Sequence, residues 1–108
     1  MKTLTRQEEL ILLAVFQLKD NAYLVTIREY LMGVMDKNLS IGAVYVPLNR
    51  LKKLGYLNTR IGAPNAKRGP NEIQFYDLSY FGVQALQEIQ RLNAILWDGF
   101  TDYAVIQN

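Results

Sequence analysis

Residues 62 to 70, Gly-Ala-Pro-Asn-Ala-Lys-Arg-Gly-Pro, constrain the fold more than any other stretch of this chain. Glycine or proline marks both ends, and the composition throughout is that of a turn. Before it, residues 56 to 62 alternate, with Leu57, Thr59 and Ile61 set against Asn58 and Arg60. After it, Ile73 to Leu78 is a second β-prone run. Two such runs joined by a turn predict a hairpin whose connecting loop carries Lys67 and Arg68.

The apolar patterns on either side have helical spacing. A first helix is predicted from about Thr5 to Leu18, with Thr5 as N-cap and Glu8 three residues on, the spacing of a capping box. Leu10, Leu13, Ala14 and Leu18 form its predicted inner stripe. A second helix fits Tyr23 to Met35, with Ile27, Tyr30, Leu31 and Val34 on one face, and Asp36-Lys37-Asn38 reads as a turn. The third, Ser40-IGAVYVPLNRLKKL-Gly55, has a serine at its start able to accept a first-turn amide hydrogen bond, and a glycine at its end. Ile41, Val44, Tyr45, Leu48 and Leu51, with Lys52, share its predicted core side. Ala43, Val46, Arg50 and Lys53 lie opposite, flanked by Gly42, Pro47 and Asn49. Pro47 has no N–H to give the Ala43 carbonyl, so a local bend is expected there. After the hairpin, Ser79 caps a last helix predicted to reach about Phe100. Ala85, Ile89, Leu92 and Leu96 are spaced four, three and four apart, the seam of a helix seeking another helix. Leu86, Ile95 and Trp97 widen that seam.

With 108 residues the chain is one small domain, and extra burial through an oligomer would help it. It contains no cysteine and no histidine. Disulfides, thiolate metal sites and Ser-His or Cys-His nucleophile pairs are therefore excluded, and its ten acids show no metal-binding or catalytic clustering. No cofactor and no enzymatic activity are expected. The apolar run from Leu10 to Phe16 follows Glu8 and Glu9 and is far shorter than the ~20 residues that span a bilayer, so neither a signal peptide nor membrane insertion is expected. The expected location is cytoplasmic.

A net charge of +2 hides a strong asymmetry. From Lys37 to Asn71 there are seven bases (Lys37, Arg50, Lys52, Lys53, Arg60, Lys67, Arg68) and no acid, a charge of +7. The remainder holds ten acids and five bases, a charge of −5. Such asymmetry points to an anionic partner.

Three helices followed by a hairpin is the order of a winged helix-turn-helix, in which the third helix enters the DNA major groove. The fold expected is mainly α with a small β-hairpin: a winged helix-turn-helix over residues 1–78, then a dimerisation helix and short tail over 79–108. Ser40, Gly42, Ala43 and Val46 supply a small start to the third helix, and Arg50 and Lys53 supply charge toward its end. The basic loop would be the wing.

Ser40-Ile-Gly-Ala-Val-Tyr45, Leu48, Arg50-Leu51, Gly55-Tyr-Leu57, Arg68-Gly69, Phe75-Tyr76-Asp-Leu78-Ser79 and Gly82 together resemble the PadR-like transcriptional regulators, over about Leu10 to Phe100. The resemblance implies a homodimeric repressor of double-stranded DNA whose last helix forms the dimer. It also implies an apolar cleft at the dimer interface for a small aromatic or drug-like effector. Carried over by position, Ser40, Tyr45 and the surface around Val46, Asn49 and Arg50 match the DNA-contacting motif, and Tyr23 matches an aromatic position at the start of the second helix. Two positions depart from the family pattern. Val46 stands between Tyr45 and Pro47, where many relatives have proline directly after the tyrosine. Glu72, Ile73 and Gln74 stand where many relatives carry a base, which confines the wing charge to Lys67 and Arg68.

The full expected DNA-contacting set is Tyr23, Ser40, Gly42, Ala43, Tyr45, Val46, Pro47, Asn49, Arg50, Lys53, Lys67 and Arg68. Leu86, Ile89, Leu92, Leu96, Trp97 and Phe100 are the expected dimer contacts, with Trp97 also a candidate wall of the ligand cleft. The bland alternatives are a solvated basic helix face and, for Trp97, simple interface packing. A winged-helix module for protein interaction or small-molecule sensing, without its own DNA role, is the other functional reading.

Overall fold

The computed structural model describes residues 4–62 and 72–107. The elements are α1 (Arg6–Leu18), a short 3-10 turn (Lys19–Asn21), α2 (Leu24–Met35), α3 (Ile41–Lys53), β1 (Leu57–Gly62), β2 (Ile73–Leu78), α4 (Tyr80–Leu96) and α5 (Phe100–Gln107). Local signals explain most of the boundaries. Thr5 and Glu8 form a reciprocal capping box on α1, with each side chain accepting the other residue's N–H, at 3.1 and 2.8 Å. Ser40 caps α3 through the Ala43 N–H at 3.1 Å, and Ser79 caps α4 through the Gly82 N–H at 3.1 Å. At the end of α3, Gly55 takes a φ of 87°. The Gly55 and Tyr56 amides then turn back to the Lys52 and Leu51 carbonyls, a Schellman stop.

β1 and β2 pair antiparallel, from Leu57 opposite Leu78 to Gly62 opposite Ile73. The Tyr76 N–H also donates to the Ala22 carbonyl at 2.8 Å, which fastens the hairpin to the chain entering α2. Ser79 is buried where three elements meet. Its N–H reaches the Tyr56 carbonyl and its hydroxyl donates to the Gly55 carbonyl at 2.6 Å. The start of α4 is thereby bound to the turn that ends α3.

The core takes Ile11, Leu12, Ala14 and Val15 from α1, Ile27 and Leu31 from α2, and Val44, Leu48 and Leu51 from α3, closed by Ala22, Leu39, Leu57 and Tyr76. Several expected stripes are rephased. On α1 the inner face is centred on Ile11 and Val15, while Leu13 is exposed and Leu10 and Leu18 are only half-buried. That helix is apolar nearly all round, so its periodicity carries no phase. Val34, Ile41 and Tyr45, all expected on core-facing sides, are exposed, as is Ile61 of β1. Val34 and Ile41 lie at helix ends, and Ile61 lies near the far end of β1, beyond the packed layer.

The last helix also differs from expectation. It stops at Leu96, turns through Gly99 with a φ of 79°, and resumes as α5 where a short tail was expected. Beyond Ala85, α4 keeps only Leu86, Ile89 and Asn93 half-buried, and its remaining side chains to Leu96 are exposed. The radius of gyration is 16.2 Å, against about 13 Å for a compact chain of this length.

Candidate functional site

Val44, Leu48 and Leu51 seat α3 in the core, which turns a different face outward. Ser40, Gly42, Tyr45, Val46, Lys52 and Lys53 are exposed and Asn49 is half-buried. Val46 is the most open large apolar side chain of the helix, 64% exposed. No acid stands in the first turn of α3, and the last turn carries Arg50, Lys52 and Lys53. Among the described residues neither lysine has a carboxylate within ion-pair distance.

Arg50 is different. It turns inward to the Glu8 carboxylate, which is almost wholly buried at 2% exposure. Glu8 accepts from the Thr5 N–H through one oxygen and from the Arg50 guanidinium through the other, so both oxygens of this buried acid are satisfied. One residue earlier on α1, the Gln7 side-chain amide donates to the Ala43 carbonyl at 3.1 Å. That carbonyl is the one Pro47 leaves without its helical N–H partner. Gln7 therefore supplies from α1 the hydrogen bond that proline removes from α3, and α3 runs unbroken from Ile41 to Lys53.

Ala43, Pro47 and Arg50 follow one another at helical spacing of four and three, and their two flanking members both contact α1. The half-buried Pro47 thus lies on the α1-facing flank, away from the open face at Val46. Sequence reasoning put Ala43, Pro47 and Arg50 on the groove-facing side. The fold instead ties Ala43 and Arg50 to α1, with Pro47 between them on the same flank.

Tyr23 caps no amide with its side chain. It stands half-buried at the start of α2, edge-on to Phe75 with ring centres 5.4 Å apart. Its N–H donates to Thr26 Oγ1 at 3.0 Å. Arg60, counted among the free charges of the basic segment, is also occupied. It pairs with Asp77 at 3.3 Å, donates to the Asp20 carbonyl at 2.8 Å and lies over the Phe75 ring. Lys67 and Arg68, the expected wing charges, lie outside the described residues. Burial, and secondarily the neighbouring Tyr45 phenol, push the Tyr76 hydroxyl above the usual tyrosine range.

A second feature lies between α1 and α4. An apolar groove of about 630 Å³ is lined mainly by Leu13 and Phe16 of α1, Leu78, and Val83, Leu86 and Ile89 of α4. Leu86 and Ile89 were among the expected dimer contacts. Trp97, the expected wall of a ligand cleft, does not line the groove, because α4 ends one residue earlier and the chain turns away. Its ring instead meets Phe100 edge-on, centres 5.0 Å apart. Leu92, Leu96, Trp97 and Phe100 are exposed, as are Tyr103, Val105 and Ile106 of α5. The groove's α1 wall, the Gln7 and Glu8 contacts and α5 all escaped the sequence reading. For α1 the signal was present, since a run apolar on every side must serve two faces.

No protein-family model matches the chain, and no curated protein shows significant similarity to it. Solved structures do. A PadR family transcription regulator from hypervirulent Clostridium difficile R20291 superposes with a TM-score of 0.72 at 17% identity, covering 93% of this chain and 99% of the other. A PadR-like transcriptional regulator from Bacillus cereus strain ATCC 14579 gives 0.71 at 19% identity, covering 94% and 91%. A PadR family regulator from Eggerthella lenta DSM 2243 gives 0.66 at 19% identity, covering 92% and 84%. The fold is a PadR-like winged helix with a small antiparallel hairpin.

Proposed function

We propose that this chain is a sequence-specific DNA-binding transcriptional regulator, a repressor that acts as a homodimer on an inverted-repeat operator. The observation that carries this reading is the outer face of α3. It is open and small at its capped start, apolar at Val46, and basic at its end through two lysines without carboxylate partners among the described residues. In the major groove, Ser40 and Gly42 let the helix approach base edges. Val46 offers an apolar contact to a thymine methyl, and the Asn49 side-chain amide has the donor and acceptor that adenine pairing requires. Lys52 and Lys53 meet phosphates and set register. Lys67 and Arg68, in the sequence between β1 and β2, are assigned a neighbouring phosphate. The fold's likeness to proteins described as transcription regulators supports the same reading.

The exposed apolar side chains of α4 and α5 are the dimer surface in this proposal, joined to the groove walls at Leu86 and Ile89. A second copy related by two-fold symmetry would place two α3 helices on half-sites one helical turn, ~34 Å, apart. A small apolar effector would occupy the groove and relieve repression. The proposed location is the cytoplasm, and among the described residues no helix is long and apolar enough to cross a membrane.

The test is fluorescence anisotropy with a labelled duplex, titrated from about 50 to about 200 mM salt. The proposal expects affinity to fall steeply as salt rises, because each neutralised phosphate releases counterions. Affinity that does not change with salt, or no binding at the lower concentration, would refute it and leave a protein-interaction module as the better reading.

A further inference from the structure

Arg50 occupies the position in α3 where a phosphate-contacting base is expected, yet its guanidinium is held by a buried acid 42 residues earlier in the chain. We infer that Glu8 and Arg50, with Gln7 on the Ala43 carbonyl, are positioning residues: they fix the recognition helix against α1 and make no contact with DNA. This deepens the DNA-binding proposal and rests on it.

Three observations converge on this assignment. First, the Glu8 carboxylate is committed twice within the protein, to the Thr5 amide and to Arg50, and is closed off from solvent. Removing Arg50 toward a phosphate would leave that buried charge unpaired, a strongly unfavourable exchange. Second, the Gln7 contact lies one residue away on α1 and about two turns away on α3, so the two contacts pin α3 at separate heights and oppose its rotation. Third, Ala43 and Arg50 border the open face of α3, three and four residues from the exposed Val46, so the two contacts set how that face is turned. A shift of α3 about its axis would move Val46 and Asn49 relative to base edges without altering the charge offered to the backbone. The pins therefore control sequence reading more than general affinity.

Salt dependence separates a positioning residue from a phosphate ligand. Each phosphate contact contributes about 0.9 to the slope of log affinity against log salt. The probes are a duplex selected by the wild-type protein from a random-sequence pool, and a scrambled duplex of equal length. Glu8→Gln keeps the shape of the side chain and its acceptor for Thr5 while removing the charge that holds Arg50. Glu8→Gln and Arg50→Gln are each expected to bind the selected duplex roughly tenfold more weakly. Binding to the scrambled duplex should change little, and the salt slope should keep its wild-type value. The double variant should be no worse than either single one. Lys53→Ala, by contrast, should lower the slope by about 0.9 on both duplexes.

A slope lowered by about one unit in Arg50→Gln would make Arg50 a phosphate ligand and overturn the inference, with the DNA-binding proposal intact. A wild-type protein that retains no duplex overturns both. Should the variants fail to fold, the wild type still decides through the Arg50 Nε–H resonance. It is expected to stay in place when the selected duplex is added, and a large shift confined to that signal and the DNA phosphates would refute the assignment.

Discussion

Replacing Gln7 by alanine should weaken the fold only as long as Pro47 is present. With proline at 47, the Ala43 carbonyl has no helical N–H, and the Gln7 side chain is the donor at 3.1 Å. A buried acceptor left without a partner costs about 1–3 kcal/mol. Ala43 is half-buried, so water can reach part of it and the lower end applies, about 1 kcal/mol. Pro47→Ala restores the helical N–H and removes the clash of the ring with the preceding turn, at a site where proline ordinarily costs about 3 kcal/mol relative to alanine. Packing around the ring recovers some of that, so a gain of about 1–2 kcal/mol is expected. In the Pro47→Ala background the carbonyl is already satisfied, and Gln7→Ala should cost close to nothing. The double-mutant cycle should therefore return a coupling of about 1 kcal/mol. Urea unfolding followed by circular dichroism measures it, with protomer concentration held fixed because any dimer makes apparent stability depend on it. A cost for Gln7→Ala that is equal in the two backgrounds would refute the reasoning, since Gln7 would then be serving something other than the orphaned carbonyl.

Four further outcomes follow from the surroundings of particular residues. A Cβ at Gly82 would lie 2.3 Å from the Tyr56 carbonyl oxygen, which Ser79 holds in place, so Gly82→Ala should cost about 2 kcal/mol or more. Gly33→Ala, where the added Cβ meets nothing within 4 Å, should gain up to about 1 kcal/mol, and thermal melts compare the two. Tyr76 has a phenol pushed above its unfolded value by burial and by Tyr45. The unfolded chain then loses its proton first, so this contribution is full below about pH 10 and is lost as pH rises through the folded value. Tyr76→Phe should flatten that part of the alkaline stability profile. Leu96→Glu with Ile106→Glu, both wide open on a single chain, should leave the fold intact and give a monomer in sedimentation, with the parent expected to sediment as the proposed dimer.

The sequence was most readable where the physics is local. Thr5 with Glu8, Ser40, Gly55 and Ser79 each mark an element end through a bond to a neighbour a few residues away, and each does so in the fold. The hairpin was legible for the same reason, as alternation bounded by turn chemistry. Phase was harder. Ile11, Leu12 and Val15 face the core while Leu13 and Phe16 line the groove, and a helix with two apolar duties has no single stripe to find. The break at Gly99 was marked by its glycine, but the apolar spacing continued past it and hid the turn. Long-range partners were beyond reach. Nothing within α3 says that Arg50 will meet Glu8, or that Gln7 will repair the defect at Pro47, because both depend on how α1 crosses α3.

Amide chemical-shift mapping tests most directly whether the outer face of α3 meets DNA. The protein, labelled with nitrogen-15, is titrated with the duplex it selects from a random pool. The largest shifts are expected on Ser40, Gly42, Val46, Asn49, Lys52 and Lys53, with the groove residues Leu13, Phe16 and Val83 little changed. Shifts centred on the groove or on α5, with α3 unmoved, would contradict that expectation.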